Sequence, residues 1–221
     1  MTYSIKNFNR PMVVQPSIES IELKSHGYNK FQYFQKRAID FIASGSLLLI
    51  TLPIMLYSIY RIKKESPGSI LFKQLRIGKD GKPFTCYKFR SMYTNSQFNP
   101  YTVEGDDRIF PYGNTMRKMR IDELPQLFNI LKGEMHLIGP RAEWNILVED
   151  YEKIIPNYQQ RHDVAPGITG LAQVSYPYGA NIKDTEEKLK YDLKYITNWS
   201  ILKEFTIMYK TVLVVLGRKG L

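Results

Sequence analysis

The chain has 221 residues, and 31 Lys and Arg against 21 Asp and Glu give a formal net charge of +10. That excess favours anionic partners, whether nucleic acid, acidic lipid or a nucleotide substrate. Cys86 is the only cysteine, which excludes an intramolecular disulfide, and His26, His136 and His162 lack the spacing of a zinc site.

Residues 1–35 read as a polar N-terminal arm with no legible chemistry. From Ala38 to Tyr60 runs a 23-residue apolar stretch with one charge, Asp40. As a straight helix it would extend roughly 35 Å, enough to cross a hydrocarbon core of about 30 Å. Pro53 in its interior removes a backbone donor and predicts a break. Both flanks are basic, Lys36 and Arg37 before and Arg61, Lys63 and Lys64 after, whereas a span normally has asymmetric flanks. Ser44, Ser46 and Thr51 are suited to bond carbonyls freed near the break. The residues leave three readings open: a re-entrant helix-break-helix hairpin over 36–64, a true span, or a buried core helix.

The segment 65–221 is long enough for one sizeable domain. Ser66-Pro67-Gly68 is a turn, Ile70 to Leu75 reads as a strand, and Gly78 to Gly81 turns the chain into a second strand, Phe84 to Phe89. Lys88 and Arg90 stand at the end of that strand. Asn95 to Asn114 is polar and rich in Pro and Gly, the pattern of a long functional loop. Next comes Met119-Arg120-Ile121-Asp122-Glu123-Leu124-Pro125, two adjacent carboxylates among basic residues. Alone, this reads as an N-cap aspartate followed by a favourable first-turn acid. The alternative is a pair of carboxylates meeting phosphate or metal at a helix start. A short helix, Glu123 to Leu131, is ended by Gly133. Arg141 follows on a Gly-Pro turn, and Trp144 to Tyr158 has helical character. Around Pro166, Gly167, Thr169 and Gly170, after the basic Arg161, a tight loop is expected that lets backbone amides approach phosphate; an ordinary turn reads equally well. Ile201, Phe205, Met208, Val212 and Val215 recur at helical spacing and predict an amphipathic helix, either covering the core or lying in a membrane interface. The fold class is therefore α+β, mainly helical with a small β-hairpin.

In order along the chain, KRAIDF, the Pro53 run, LFKQLRIGKDGKPFTCYKFRSM, RKMRIDELPQLFNILKGEMHLIGPR and PGITGLAQVS resemble the bacterial sugar transferases, specifically the small monotopic phosphoglycosyl transferases. The resemblance implies transfer of a phosphosugar from a UDP-sugar to polyprenyl (undecaprenyl) phosphate, with Asp122 as nucleophile, Glu123 beside it, and UMP leaving. It implies Mg2+ held by Asp122 and Glu123. Lys88, Arg90 and Arg141 are implied as phosphate contacts, and Gln74, Arg76, Arg161, Pro166, Gly167, Thr169 and Gly170 as the margin of the nucleotide site. It favours the re-entrant hairpin, in the bacterial inner (cytoplasmic) membrane with catalysis on the cytoplasmic face, and interfacial amphipathic helices touching membrane lipids. A homodimer is left open. No nucleic acid is expected, since no recognised binding module is evident. Two departures stand out: Ala142 replaces a frequent proline, and Tyr176-Pro177-Tyr178-Gly179-Ala180 replaces a frequent Gly-Arg. The chain resembles the minimal form, without additional transmembrane helices before the catalytic unit. The sugar is not legible.

Overall fold

The computed structural model describes residues 27–94, 105–176 and 181–217. Helix α1, Lys30–Glu65, opens on a reciprocal cap in which the Asn29 side chain accepts from the Gln32 amide and the Gln32 side chain from the Asn29 amide. The sequence predicts two helices divided at Pro53, but the structure carries one helix through it. A proline removes a single amide donor, and the φ it imposes is itself helical, so neighbouring bonds maintain the element. Thr51 bonds the Leu47 carbonyl four residues back, while the buried Ser44 hydroxyl has no partner among the described residues.

The burial pattern of α1 is inverted relative to a water-soluble helix. Its buried residues are Lys36, Asp40, Ser44, Met55, Ser58 and Ile62, at spacings that keep them largely on one stripe. Phe34, Phe41, Ile42, Leu49, Ile50 and Leu56 lie outside and exposed. Polar contacts hold the inner stripe. Lys36 pairs with Glu204 at 2.6 Å, Asp40 meets His136 Nδ1 at 2.5 Å, and Arg37 donates to the Ile130 carbonyl at 2.8 Å. Near the other end, Ser58 and Tyr112 hydroxyls lie 2.9 Å apart, and Glu65 accepts from the Tyr112 amide at 2.7 Å. Both ends of the helix are thus fastened to the same domain.

Strands β1 (Leu71–Ile77) and β2 (Pro83–Phe89) form the expected antiparallel hairpin. Its turn places Asp80 and Gly81 in the left-handed region. Within the expected long loop, residues 95–104 lie outside the described residues, and α2 (Pro111–Lys118) begins at its far end with Pro111 in the first helical turn. Helix α3 (Gln126–Lys132) ends at Gly133, whose φ of 89° completes the stop. Strand β3 (His136–Ile138) and β4 (Gly167–Thr169) pair in parallel, a feature the sequence reading lacks. Helices α4 (Asn145–Ile154), α5 (Leu171–Ser175), α6 (Ile182–Thr197) and α7 (Ile201–Leu216) complete the fold. One buried cluster joins β3, α4, α6 and α7 through Ile138, Val148, Leu193 and Ile207; a second lies between α1 and α2, and a third behind β2 and α3. The predicted amphipathic helix is α7, buried through Glu204 and Ile207, with Leu202, Phe205, Tyr209, Val212, Leu213 and Leu216 exposed.

Candidate active site

Asp122 and Glu123 sit on a single 3-10 turn, Ile121–Glu123, between α2 and α3. The N-cap of α3 is Pro125, with no side-chain cap bond and no acid in its first turn. The two carboxylates therefore do not cap a helix. Arg120 immediately before them adopts φ 56°, ψ 20°, a conformation uncommon for a residue with a Cβ. This bend turns the chain out of α2 and buries both acids, which are 8% and 6% exposed.

Cations converge on Glu123 from three segments. Lys88, on β2, lies 2.7 Å from its Oε1, Arg141 3.7 Å and Arg120 3.8 Å. The register of the hairpin, Phe72↔Lys88, Gln74↔Cys86 and Arg76↔Phe84, puts Gln74, Arg76 and Lys88 on one face. Gln74 Oε1 accepts from Arg76 Nε at 3.0 Å, and the Arg76 guanidinium also donates to the Ala142 carbonyl, one residue past Arg141. Lys88, Arg141, Gln74 and Arg76 thus gather as expected. Arg120 joins them; its position three residues before Glu123 was the available signal.

Burial opposes ionisation of Glu123, but Lys88, Arg141 and Arg120 outweigh it and hold the carboxyl well below its usual range. Asp122 goes the other way. Burial raises its carboxyl above the usual value, Lys88 pulls it back, and the neighbouring Glu123 charge adds to the rise. Asp122 Oδ1 is buried with no hydrogen-bond partner among the described residues. Magnesium commonly binds one or two carboxylates plus substrate phosphates. Asp122, with an uncommitted oxygen, suits that role; Glu123, engaged by three cations, suits the anchoring of those cations better than the holding of a metal. No group of three or more His, Cys, Asp or Glu suited to a metal exists among the described residues, so such an ion would rely on substrate oxygens.

The other expected residues lie against protein partners. Arg90 donates to the carbonyls of Ser66 and Pro67, the latter at 3.0 Å, and so fastens the end of α1 rather than joining Lys88. Arg161 is buried, bonding Asp192 at 2.8 Å, the Arg141 carbonyl at 2.9 Å and the Tyr158 hydroxyl at 2.5 Å. It holds the turn that carries Arg141. The loop over Pro166, Gly167, Thr169 and Gly170 serves the same turn. The Pro166 carbonyl accepts from the His136 amide at 2.7 Å, the Gly167 amide donates to the Pro140 carbonyl at 2.8 Å, and the Thr169 carbonyl accepts from the Gly139 amide at 2.9 Å. A Cβ at Gly167 or Gly170 would overlap backbone atoms of Gly139. These glycines permit close approach of two backbone segments, where the sequence suggested approach to phosphate. The Thr169 hydroxyl meets that of Thr211 on α7 at 2.8 Å. Cys86 is buried on the hairpin and burial raises its thiol, consistent with a small strand residue.

Comparison with known proteins matches residues 31–218 to the bacterial sugar transferase family. The chain is 39% identical over 223 residues to the UDP-N-acetylgalactosamine-undecaprenyl-phosphate N-acetylgalactosaminephosphotransferase of Aeromonas hydrophila, covering 99% of this chain and 53% of that protein. It is 37% identical over 181 residues to the UDP-glucose:undecaprenyl-phosphate glucose-1-phosphate transferase of Escherichia coli (strain K12), covering 80% and 39% respectively. It is 40% identical over 191 residues to the exopolysaccharide production protein PSS of Rhizobium leguminosarum bv. phaseoli, covering 83% and 96%. The chain therefore spans about half or less of the first two relatives and nearly all of the third. With one family model covering most of its length, and its motif residues Asp122, Glu123, Lys88 and Arg141 gathered in one place, the chain belongs to the bacterial sugar transferase family.

Proposed function

We propose that the protein transfers a phosphosugar from a UDP-sugar to undecaprenyl phosphate through a covalent intermediate on Asp122, opening the assembly of a polysaccharide or glycan. The observation that carries this reading is the asymmetry of the acid pair. Glu123 is committed to Lys88, Arg120 and Arg141, while Asp122 keeps an oxygen with no partner beside them. A nucleophile for phosphorus needs an available anionic oxygen next to cations that receive the phosphate charge. Asp122 Oδ attacks the sugar-bearing phosphorus, the bond from that phosphorus to the bridging oxygen breaks, and UMP leaves with the electron pair. An oxygen of the polyprenyl phosphate then attacks the same phosphorus, and the Asp122 carboxylate is released unchanged. Lys88 and Arg141 hold phosphate oxygens, the arginine with a planar fork. Bound Mg2+ would supply further neutralisation of the diphosphate, with Asp122 as its protein donor.

We further infer that α1, continuous through Pro53, bends at that proline within one leaflet, so that both its ends stay on the cytoplasmic face of the inner membrane. Its outward apolar residues suit lipid, and its two ends bind one domain, through Lys36 and Asp40 at one end and Ser58 and Glu65 at the other. A helix crossing the bilayer would separate those ends. The exposed apolar face of α7 suits the interface beside it.

The test is a donor-only reaction. Protein in nanodiscs, given UDP-sugar and Mg2+ without lipid, should release about one UMP per active site and carry a phosphosugar on the Asp122 peptide by mass spectrometry. Asp122→Asn should lose both signals, and excess chelator should abolish turnover. An active enzyme that gives neither adduct nor UMP until lipid is added would refute the covalent route.

A further inference from the structure

The segment after Arg141 holds a carboxylate that the proposed reaction does not use. Ala142 is buried in the core behind β2, while Arg141 and Glu143 on either side of it are half-buried. The segment is strapped to the end of β1. The Ile77 amide donates to the Glu143 carbonyl at 3.2 Å, Arg76 bridges Trp144 in antiparallel fashion, and the Arg76 guanidinium donates to the Ala142 carbonyl. The backbone of Glu143 is therefore fixed beside Arg76 and two residues from Arg141, on the far side of Arg141 in sequence from the acid pair it approaches at 3.7 Å.

The Glu143 side chain lies within electrostatic reach of several cations. Its carboxylate acts on Arg76, Arg141, Arg161 and Lys188, favouring the charged form of each. Arg161 already has Asp192, Tyr158 and the Arg141 carbonyl, and Arg141 faces Glu123. Among the described residues the Glu143 carboxylate accepts no hydrogen bond and forms no ion pair. Such a group repels phosphate, and an ionised carboxylate only accepts hydrogen bonds. Its complement is a neutral donor carried next to a phosphate, and in a nucleotide sugar that is a ring hydroxyl. Hydroxyl-bearing rings flank the diphosphate on both sides, the ribose and the transferred sugar.

We propose that Glu143 is a specificity-determining residue that accepts a hydrogen bond from a ring hydroxyl of the donor while Arg141 and Arg76 hold the diphosphate beside it. This rests on the UDP-sugar reading of the site. The selection works through an unmet acceptor: a donor lacking the hydroxyl leaves the carboxylate desolvated and unpaired, which penalises it more than a lost contact alone.

The experiment uses the full chain in nanodiscs, with whichever of UDP-N-acetylgalactosamine, UDP-glucose and UDP-galactose it turns over, read as UMP release. kcat/KM is compared with 2′-deoxyribose and 3′-deoxyribose analogues in one arm and with analogues deoxygenated at single sugar positions in the other. The wild type should lose on the order of 10- to 100-fold with one analogue, as for a hydrogen bond to a charged group. Glu143→Ala should lose a comparable factor on the parent donor and treat that analogue no worse than the parent. The arm in which the penalty disappears identifies the ring. Glu143→Asp, which keeps the charge but withdraws it by one methylene, should show a reduced penalty and gives the same reading should the alanine variant not fold. Undiminished discrimination in the variants, or no penalty for any analogue in the wild type, would overturn the assignment. A wild type releasing UMP from no UDP-sugar would instead overturn the functional reading beneath it.

Discussion

Lys36 is the residue whose loss the structure prices most clearly. It is completely buried, 2.6 Å from Glu204 and 3.5 Å from Asp40, and neither acid is exposed. Glu204 also accepts from the Trp199 indole at 2.8 Å and from the Tyr195 hydroxyl, and Asp40 accepts from the Leu137 amide at 2.8 Å. Lys36→Met keeps the volume near that of the stem and leaves two buried carboxylates without their shared cation. Removing one partner of a buried pair costs about 3–5 kcal/mol. The surviving hydrogen bonds set the expectation at the low end, about 3 kcal/mol, which in a chain of this size lowers Tm by roughly 6–12 °C. The assay is thermal unfolding in nanodiscs followed by tryptophan fluorescence, since Trp199 lies within the network. Lys36→Met/Glu204→Gln removes both charges of the close pair and keeps an acceptor for the indole, so it should recover more than half of the loss. A single variant melting within about 2 °C of wild type, or a double variant no better than the single, would refute the idea that α1 is latched to α7 by charge.

Lys88→Met should shift the acid limb of kcat/KM to higher pH. In the proposed reaction Asp122 attacks as its carboxylate, burial already raises that carboxyl, and Lys88 is the strongest counterweight; an unmoved or lowered limb would remove the lysine from that role. Gly167→Ala should destabilise the protein by about 1–3 kcal/mol and depress turnover, because its Cβ would overlap the Gly139 amide and displace the Arg141 turn; thermal melting and UMP release check both halves. In a Cys86→Ser background, single cysteines near Lys36 and Lys63 should both label from the cytoplasmic side only, and labelling of one from the periplasm would defeat the re-entrant placement of α1.

What the sequence made legible was local. Alternation and a Gly-Lys-Asp-Gly turn were enough for the β1–β2 hairpin, Gly133 for the end of α3, and apolar spacing for α7. Parallel pairing of β3 and β4 was not legible, because each strand has three residues and its partner lies some 30 residues away. Helix α6 also went unread, although Asn181 and Asp184 cap it reciprocally. For the site, residue type was readable and partner was not. Lys88 and Arg90 are two apart on one strand end, yet one meets Glu123 and the other the carbonyls ending α1. Arg161 carries the same charge as Arg141, and its guanidinium is consumed by Asp192 on α6. The acid pair misled in a subtler way: helical propensity downstream suggested a helix start, whereas α3 starts at Gln126 after the Pro125 cap and the left-handed Arg120 sets the acids on their own turn.

That turn explains why adjacent acids can coexist in one buried place. Two carboxylates side by side favour sharing a proton, which would disable a nucleophile near neutral pH. Lys88, Arg120 and Arg141 meet Glu123, and Arg76 stands next to them through Gln74 and the Ala142 carbonyl. Four cations against Asp122, Glu123 and the nearby Glu143 leave the place net positive, which suits the negative diphosphate of the proposed donor. In the proposed reaction Glu123 acts without touching substrate: held ionised, it gathers cations from β2, from the turn before it and from the Gly-Pro-Arg turn toward one point. Asp122 lies near the same cations without an ion pair to them and keeps Oδ1 unpartnered among the described residues, the oxygen that the proposed reaction uses. A more symmetric arrangement, with both acids paired, would be more stable and less reactive.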